Sequence, residues 1–106
     1  MNRMEALTAK RQAERHGRAR HAVDEIRQRA AEAGLSIQPV GSFARGDFRL
    51  HSDIDLLVRG PIDRCHRVAA ERIVAESLRG VDIPYDLIFE EDLTAERLEE
   101  FLRDSL

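Results

Sequence analysis

The run Ile54-Asp55-Leu56-Leu57-Val58, entered through Asp53, constrains the fold of this chain more than any other stretch. It is too short for a stable helix, and side chains along a strand alternate between its two faces. From Ile54 onward both faces are apolar, which predicts a strand covered on both sides. The same alternation puts Asp53 and Asp55 on one face, about 6.6 Å apart at ~3.3 Å per residue. Two like charges that close, beside an apolar run, repel one another and lose hydration. Something in the molecule or its ligands must offset them.

The remaining segments supply the cover. Met4 to Ala33 contains no proline and is dominated by Ala, Arg, Glu and Gln, which predicts a long helix. Its apolar positions recur at three and four, Gly17 marks a break or bend, and Gly34 is a natural stop. Leu35 to Val40 reads as a short strand with Pro39 at an edge, and Gly41 to Ser52 as a polar connection. Gly60-Pro61 reads as the opening of a helix with proline at its first position, with Ile62, Cys65, Val68, Ala69 and Ile73 as the core stripe and Gly80 as the end. Ile83 to Phe89 is the third strand. Leu93, Thr94 and Leu98 fit a hydrophobic staple around a threonine cap, starting a final helix that buries Leu98, Phe101 and Leu102. The order predicts an α+β fold, a small mixed three-stranded sheet packed with about four helices. It reads as one domain over 1–106, with an N-terminal helical segment at 1–33 and a core at 35–106.

Composition narrows the class. Hydrophobic residues at 42% beside 35% charged residues are those of a folded, soluble chain. No apolar run approaches the ~18 residues of a membrane span, and no signal-peptide pattern opens the sequence. Cys65 stands alone, so an intracellular, cytoplasmic setting is expected, and Cys65-His66 is too little for a zinc site. The net charge of −3 hides an asymmetry. Residues 1–30 carry eight basic against four acidic groups, and residues 86–106 carry two against eight. These are either solvated helix faces or docking surfaces for a partner. Direct nucleic-acid binding is not expected.

Asp53-x-Asp55 alone is ambiguous. Such pairs occur at strand ends where both groups meet water, and in glycosyltransferases that hold a metal-bound nucleotide sugar. Hard divalent cations are the natural partners of paired carboxylates, since Mg²⁺ takes carboxylate oxygens and keeps positions open for phosphate. Two ions about 3.5–4 Å apart suit in-line phosphoryl chemistry. Gly41-Ser42 sharpens this reading, because a strand-end glycine lets backbone approach a phosphate and the serine offers a hydroxyl and amides. The chemistry then asks for a third acid from another strand. Asp86 is chosen because Leu87, Ile88 and Phe89 follow it, as Leu56 to Val58 follow Asp55; Asp82 reads as a turn residue after Gly80. The alternative for Asp86 is a strand-end acid paired with an arginine.

With Gly41, Ser42, Asp53 and Asp55 in the pattern Gly-Ser, ten residues, Asp-x-Asp, the chain resembles a minimal nucleotidyltransferase of the DNA polymerase beta superfamily. "GSFARGD" and "SDIDLLV" share that family's wording, over about residues 20 to 100. The resemblance implies a polymerase-beta-like nucleotidyltransferase fold. Asp53 and Asp55 would bind two Mg²⁺ (or Mn²⁺) ions, and Asp86 would ligate the catalytic one and help activate the acceptor hydroxyl. Gly41 and Ser42 would hold the terminal phosphates of ATP, and Arg45 would contact the triphosphate or else pair locally with Asp47. A nucleoside monophosphate, AMP from ATP, would be transferred and pyrophosphate would leave. Pro39, Val40 and the connection residues Phe48, Arg49, Leu50 and His51 depart from the family's usual residues, which bears on base preference.

Chains of this length resemble the antitoxins that accompany all-helical HEPN ribonuclease toxins and neutralise them by adenylylating a tyrosine, or by binding. The implied acceptor is therefore a hydroxyl on a separate protein. Two other readings stay open: a binding antitoxin without chemistry, and a small-molecule (antibiotic-type) nucleotidyltransferase, which would need a second domain or a homodimer to complete its pocket. The toxins' own Arg-x4–6-His pattern also occurs here, as at Arg11 to His16, but arises easily in an arginine-rich chain.

Overall fold

A computed structural model describes residues 2–49 and 51–104; Leu50 lies outside the described residues. Its first helix, α1, runs from Arg3 to Glu32. A capping box starts it: the Glu5 amide donates to Asn2 Oδ1 (2.8 Å) and the Asn2 amide to Glu5 Oε2 (3.2 Å). The break expected at Gly17 does not occur. Gly17 is exposed with nothing near its Cα, so its cost is a modest loss of helix propensity that thirty residues absorb. Only the second half of α1 is core, through Ala19, Ala22, Val23, Ile26 and Ala30. Their spacing of three and four makes one stripe.

The sheet follows as β1 (Ile37–Val40), β2 (Ile54–Val58) and β3 (Tyr85–Phe89), in that spatial order. β1 pairs antiparallel with β2, placing Val40 opposite Asp55, and β2 pairs parallel with β3, placing Asp55 opposite Asp86. The mixed three-stranded sheet is thus as the sequence predicts, and Pro39 sits on an edge strand. One face carries Ile37, Ile54, Leu56, Val58 and Phe89 into the main core against α1 and α3 (Arg64–Ser77). The other carries Val40, Asp55, Leu57 and Asp86 by alternation. Leu57 is fully buried there, and α4 (Ala95–Asp104) lies against β1 and α2, a short helix at Gly41–Arg45. β2 is apolar on both faces for this reason.

Two local expectations are corrected. Asp63, and not Gly60-Pro61, opens α3, its carboxylate accepting from the His66 amide at 2.8 Å. Pro61 stays outside because an aspartate two positions on offers a true side-chain cap. Of the expected stripe, Ile73 is buried and Ile62 packs against the core, but Ala70, Val74 and Ser77 are the other buried residues of the helix, while Cys65 is exposed and Val68 is 49% exposed. Secondly, the connection after β1 holds α2, which sequence reading leaves as coil. The threonine cap of the last helix is present, Arg97 N donating to Thr94 Oγ1 (3.2 Å).

Ion pairs clamp the far end of the sheet. Arg59 Nε reaches Glu90 (2.6 Å) while its Nη1 reaches Gln38 (3.2 Å), joining the ends of β2, β3 and β1. Arg67 of α3 stacks 3.9 Å over Phe89 and bonds Glu91 and Asp92 in the one-turn 3-10 helix Glu90–Asp92. Hydrogen bonding by Arg59 and Arg67 holds Glu90 and Asp92 below the ordinary carboxylate range. Among the described residues, no helix is long and apolar enough to cross a membrane.

Candidate active site

The strand register does what the sequence alone could only suggest. Asp55 and Asp86 are direct partners across β2 and β3, so their Cβ atoms lie about 5 Å apart on one face. Their carboxyls are within hydrogen-bonding reach, and Asp53, one residue before β2, acts on Asp55 through space. The Asp55 carboxyl is pushed above its ordinary value, first by burial, then by the charges of Asp86 and Asp53, against a smaller opposing pull from Arg45. Asp53 and Asp86 are exposed, whereas Asp55 is half-buried. Asp82, set aside in the sequence reading, immediately follows the turn at 78–81 with a left-handed backbone (φ 61°).

Gly41 joins this group by a constraint on space. It is buried with φ +68°, a conformation that favours glycine. A Cβ built on it would lie 2.5 Å from Asp55 Oδ2. Backbone at the end of β1 therefore presses against the Asp55 carboxylate, and only glycine permits it. Ser42 opens α2 and is half-buried. The preceding residue, Val40, has no side chain able to cap that turn. Gly46, also left-handed (φ 76°), closes the helix, with Gly46 N donating to Phe43 O (3.2 Å) and Asp47 N to Ser42 O (2.8 Å). Arg45 is exposed at the end of α2, and its positive charge reaches Asp55. The described ion pair of Asp47 is with Arg49, at 3.4 Å.

The donors present suit a hard divalent cation. Three carboxylates, one raised by burial and by its like-charged neighbours, sit beside a glycine whose lack of a Cβ lets backbone approach the Asp55 carboxylate. Among the described residues, no group of three or more His, Cys, Asp or Glu side chains is placed so as to hold a metal ion. Nor do the acids line a separate open cleft of about 460 Å³, which lies beside β1 and α2 between Arg27, Gln38, Pro39, Phe43 and Ala44.

Sequence reasoning missed the residues that hold this site in place. Gln12, Arg15 and His16 of α1 reach the connection between α2 and β2. His16 stacks on Phe43 (5.6 Å) and lies 6.1 Å from Phe48, and those two rings meet edge-on at 5.6 Å. The signal was two phenylalanines, Phe43 and Phe48, inside an otherwise polar connection.

The mixed sheet thus brings paired acids from adjacent strands up to a glycine-opened turn. Residues 19–105 match the family model described as a nucleotidyltransferase domain, and the chain belongs to that family. No curated protein matches the chain significantly. Family membership sets the reaction class: transfer of a nucleotidyl group from a nucleoside triphosphate.

Proposed function

We propose that this chain is a metal-dependent nucleotidyltransferase that moves AMP from ATP to a hydroxyl on a partner protein, as the antitoxin of a HEPN-type toxin. The observation that carries the chemistry is the register pairing of Asp55 with Asp86 beneath Gly41. In this reading Asp53, Asp55 and Asp86 hold two Mg²⁺ ions, which neutralise the triphosphate when bound. Asp53 is exposed and joins the pair by rotation of its side chain. Gly41 and Ser42 cradle the terminal phosphates, and Arg45 adds positive charge from the solvent side. Asp86 orients the acceptor hydroxyl and takes its proton. The residues do little covalent work; positioning and charge neutralisation lower the barrier.

A macromolecular acceptor suits a site whose outer acids, Asp53 and Asp86, stand exposed and not at the bottom of a cavity. The test is incubation with labelled ATP, Mg²⁺ and a helical partner encoded beside the chain. Wild type is expected to label the partner and neutralise it, and Asp53→Ala with Asp55→Ala to do neither. Neutralisation that survives the double substitution at equal concentration would show that binding alone is the mechanism.

A further inference from the structure

Asp53, one of the three acids of the proposed metal site, lies just outside β2, yet its backbone is pinned from both sides. On the C-terminal side, the Ile54 amide donates to the Pro84 carbonyl at 2.9 Å, tying it to the entry of β3. On the N-terminal side, the Ser52 carbonyl accepts from Arg15 Nη2 at 2.8 Å. The turn leading in is closed twice, by Ser52 N to Arg49 O (3.1 Å) and Arg49 N to Ser52 Oγ (2.9 Å). Arg15 thus reaches across from α1 to the peptide group that immediately precedes Asp53.

Arg15 is itself held for this purpose. Its guanidinium lies 5.6 Å over the Phe48 ring, and Phe48 is buried against His16, the next residue on α1. Gln12, one turn earlier, donates to the Phe48 carbonyl at 3.5 Å. Arg15 Nε is buried with no partner, a cost of the kind that cores avoid unless the group's other contacts repay it. Arg15 and His16 precede residues 19–105, so the brace lies outside the matched family domain.

We infer that Arg15 is a positioning residue for the nucleotidyl-transfer site, fixing the Ser52–Asp53 peptide so that the Asp53 carboxylate meets the ions that Asp55 and Asp86 hold. The inference rests on the metal-dependent reading above. A carboxylate whose backbone drifts by a fraction of an ångström binds a strict octahedral ion poorly. Residues that orient ligands in this way change metal affinity by about 10–100-fold when removed.

The test is Mn²⁺ binding by calorimetry, paired with thermal melting, on wild type, Arg15→Ala, Arg15→Lys and Arg18→Ala. Arg18 is the control, because it too donates from α1 to a backbone carbonyl, that of Val81 (3.3 Å), away from the acids. Arg15→Ala is expected to weaken Mn²⁺ at least 10-fold, Arg15→Lys to recover part of that, and Arg18→Ala to bind as wild type, with both alanine variants melting at similar temperatures. Wild-type affinity in Arg15→Ala overturns this inference alone, as does equal weakening in Arg18→Ala. A wild type that binds no Mn²⁺ overturns the metal-dependent reading and this inference with it.

Discussion

Asp55 carries a conflict that decides how the free protein responds to pH. Its carboxyl is raised above the ordinary 3.8 by burial and by Asp86 and Asp53. A raised carboxyl favours the folded chain while protonated, and that contribution is lost as pH rises through its folded value. In chelator, lowering the pH from neutral toward the ordinary carboxylate value of 3.8 should therefore favour wild type relative to Asp55→Asn. Asp55→Asn should melt a few degrees higher than wild type at neutral pH. Added Mg²⁺ should raise the melting temperature of wild type and leave the variant unmoved. Circular dichroism melts of the two chains with and without Mg²⁺ check all of this, and a variant that melts lower in chelator at neutral pH would contradict it. Gly41→Ala is the complementary case. A left-handed backbone and a Cβ 2.5 Å from Asp55 Oδ2 should cost more than about 1 kcal/mol in denaturant melts and displace the carboxylate, so nucleotidyl transfer should fall at least ~100-fold.

Among the elements, α3 separates what periodicity can tell from what it cannot. Cys65, Val68 and Ala69 form as good a stripe as Ala70, Ile73 and Val74, and both are written into the same residues. The choice is made by the Asp63 cap and by the core that Ile26 and Val58 offer. Ile73→Ala is accordingly expected to cost about 2–5 kcal/mol, whereas Val68→Ser should stay within about 0.5 kcal/mol, both read from urea melts. The strands and the long helix were legible because their apolar patterns have single solutions. α2 was not, since five residues of Gly-Ser-Phe-Ala-Arg carry too little periodicity to announce a helix. At the site, type and spacing singled out Gly41, Asp53, Asp55 and Asp86 as candidates. The sequence could not show that Asp55 and Asp86 would be register partners, which depends on a parallel pairing of residues 31 apart. Nor could it show the Arg15 brace, which joins residues 37 apart.

For the molecule as a whole, the two charged ends differ in kind. Much of the acidic excess near the C-terminal end is spent internally: Glu90 on Arg59, Glu91 and Asp92 on Arg67, and Glu100 and Glu99 on Arg97 and Arg103 within α4. The first turns of α1, by contrast, extend beyond the core with Met4 72% and Leu7 43% exposed. The same helix, about 45 Å long, reaches the Ser52 carbonyl before Asp53 further along through Arg15. The central claim is that this sheet presents its acids for nucleotidyl transfer, and the fate of two labels tests it most directly. With Mg²⁺ and the partner, label on the α-phosphate of ATP should pass to the partner protein while label on the γ-phosphate leaves in pyrophosphate. Transfer of the γ label, or of neither, would contradict the account.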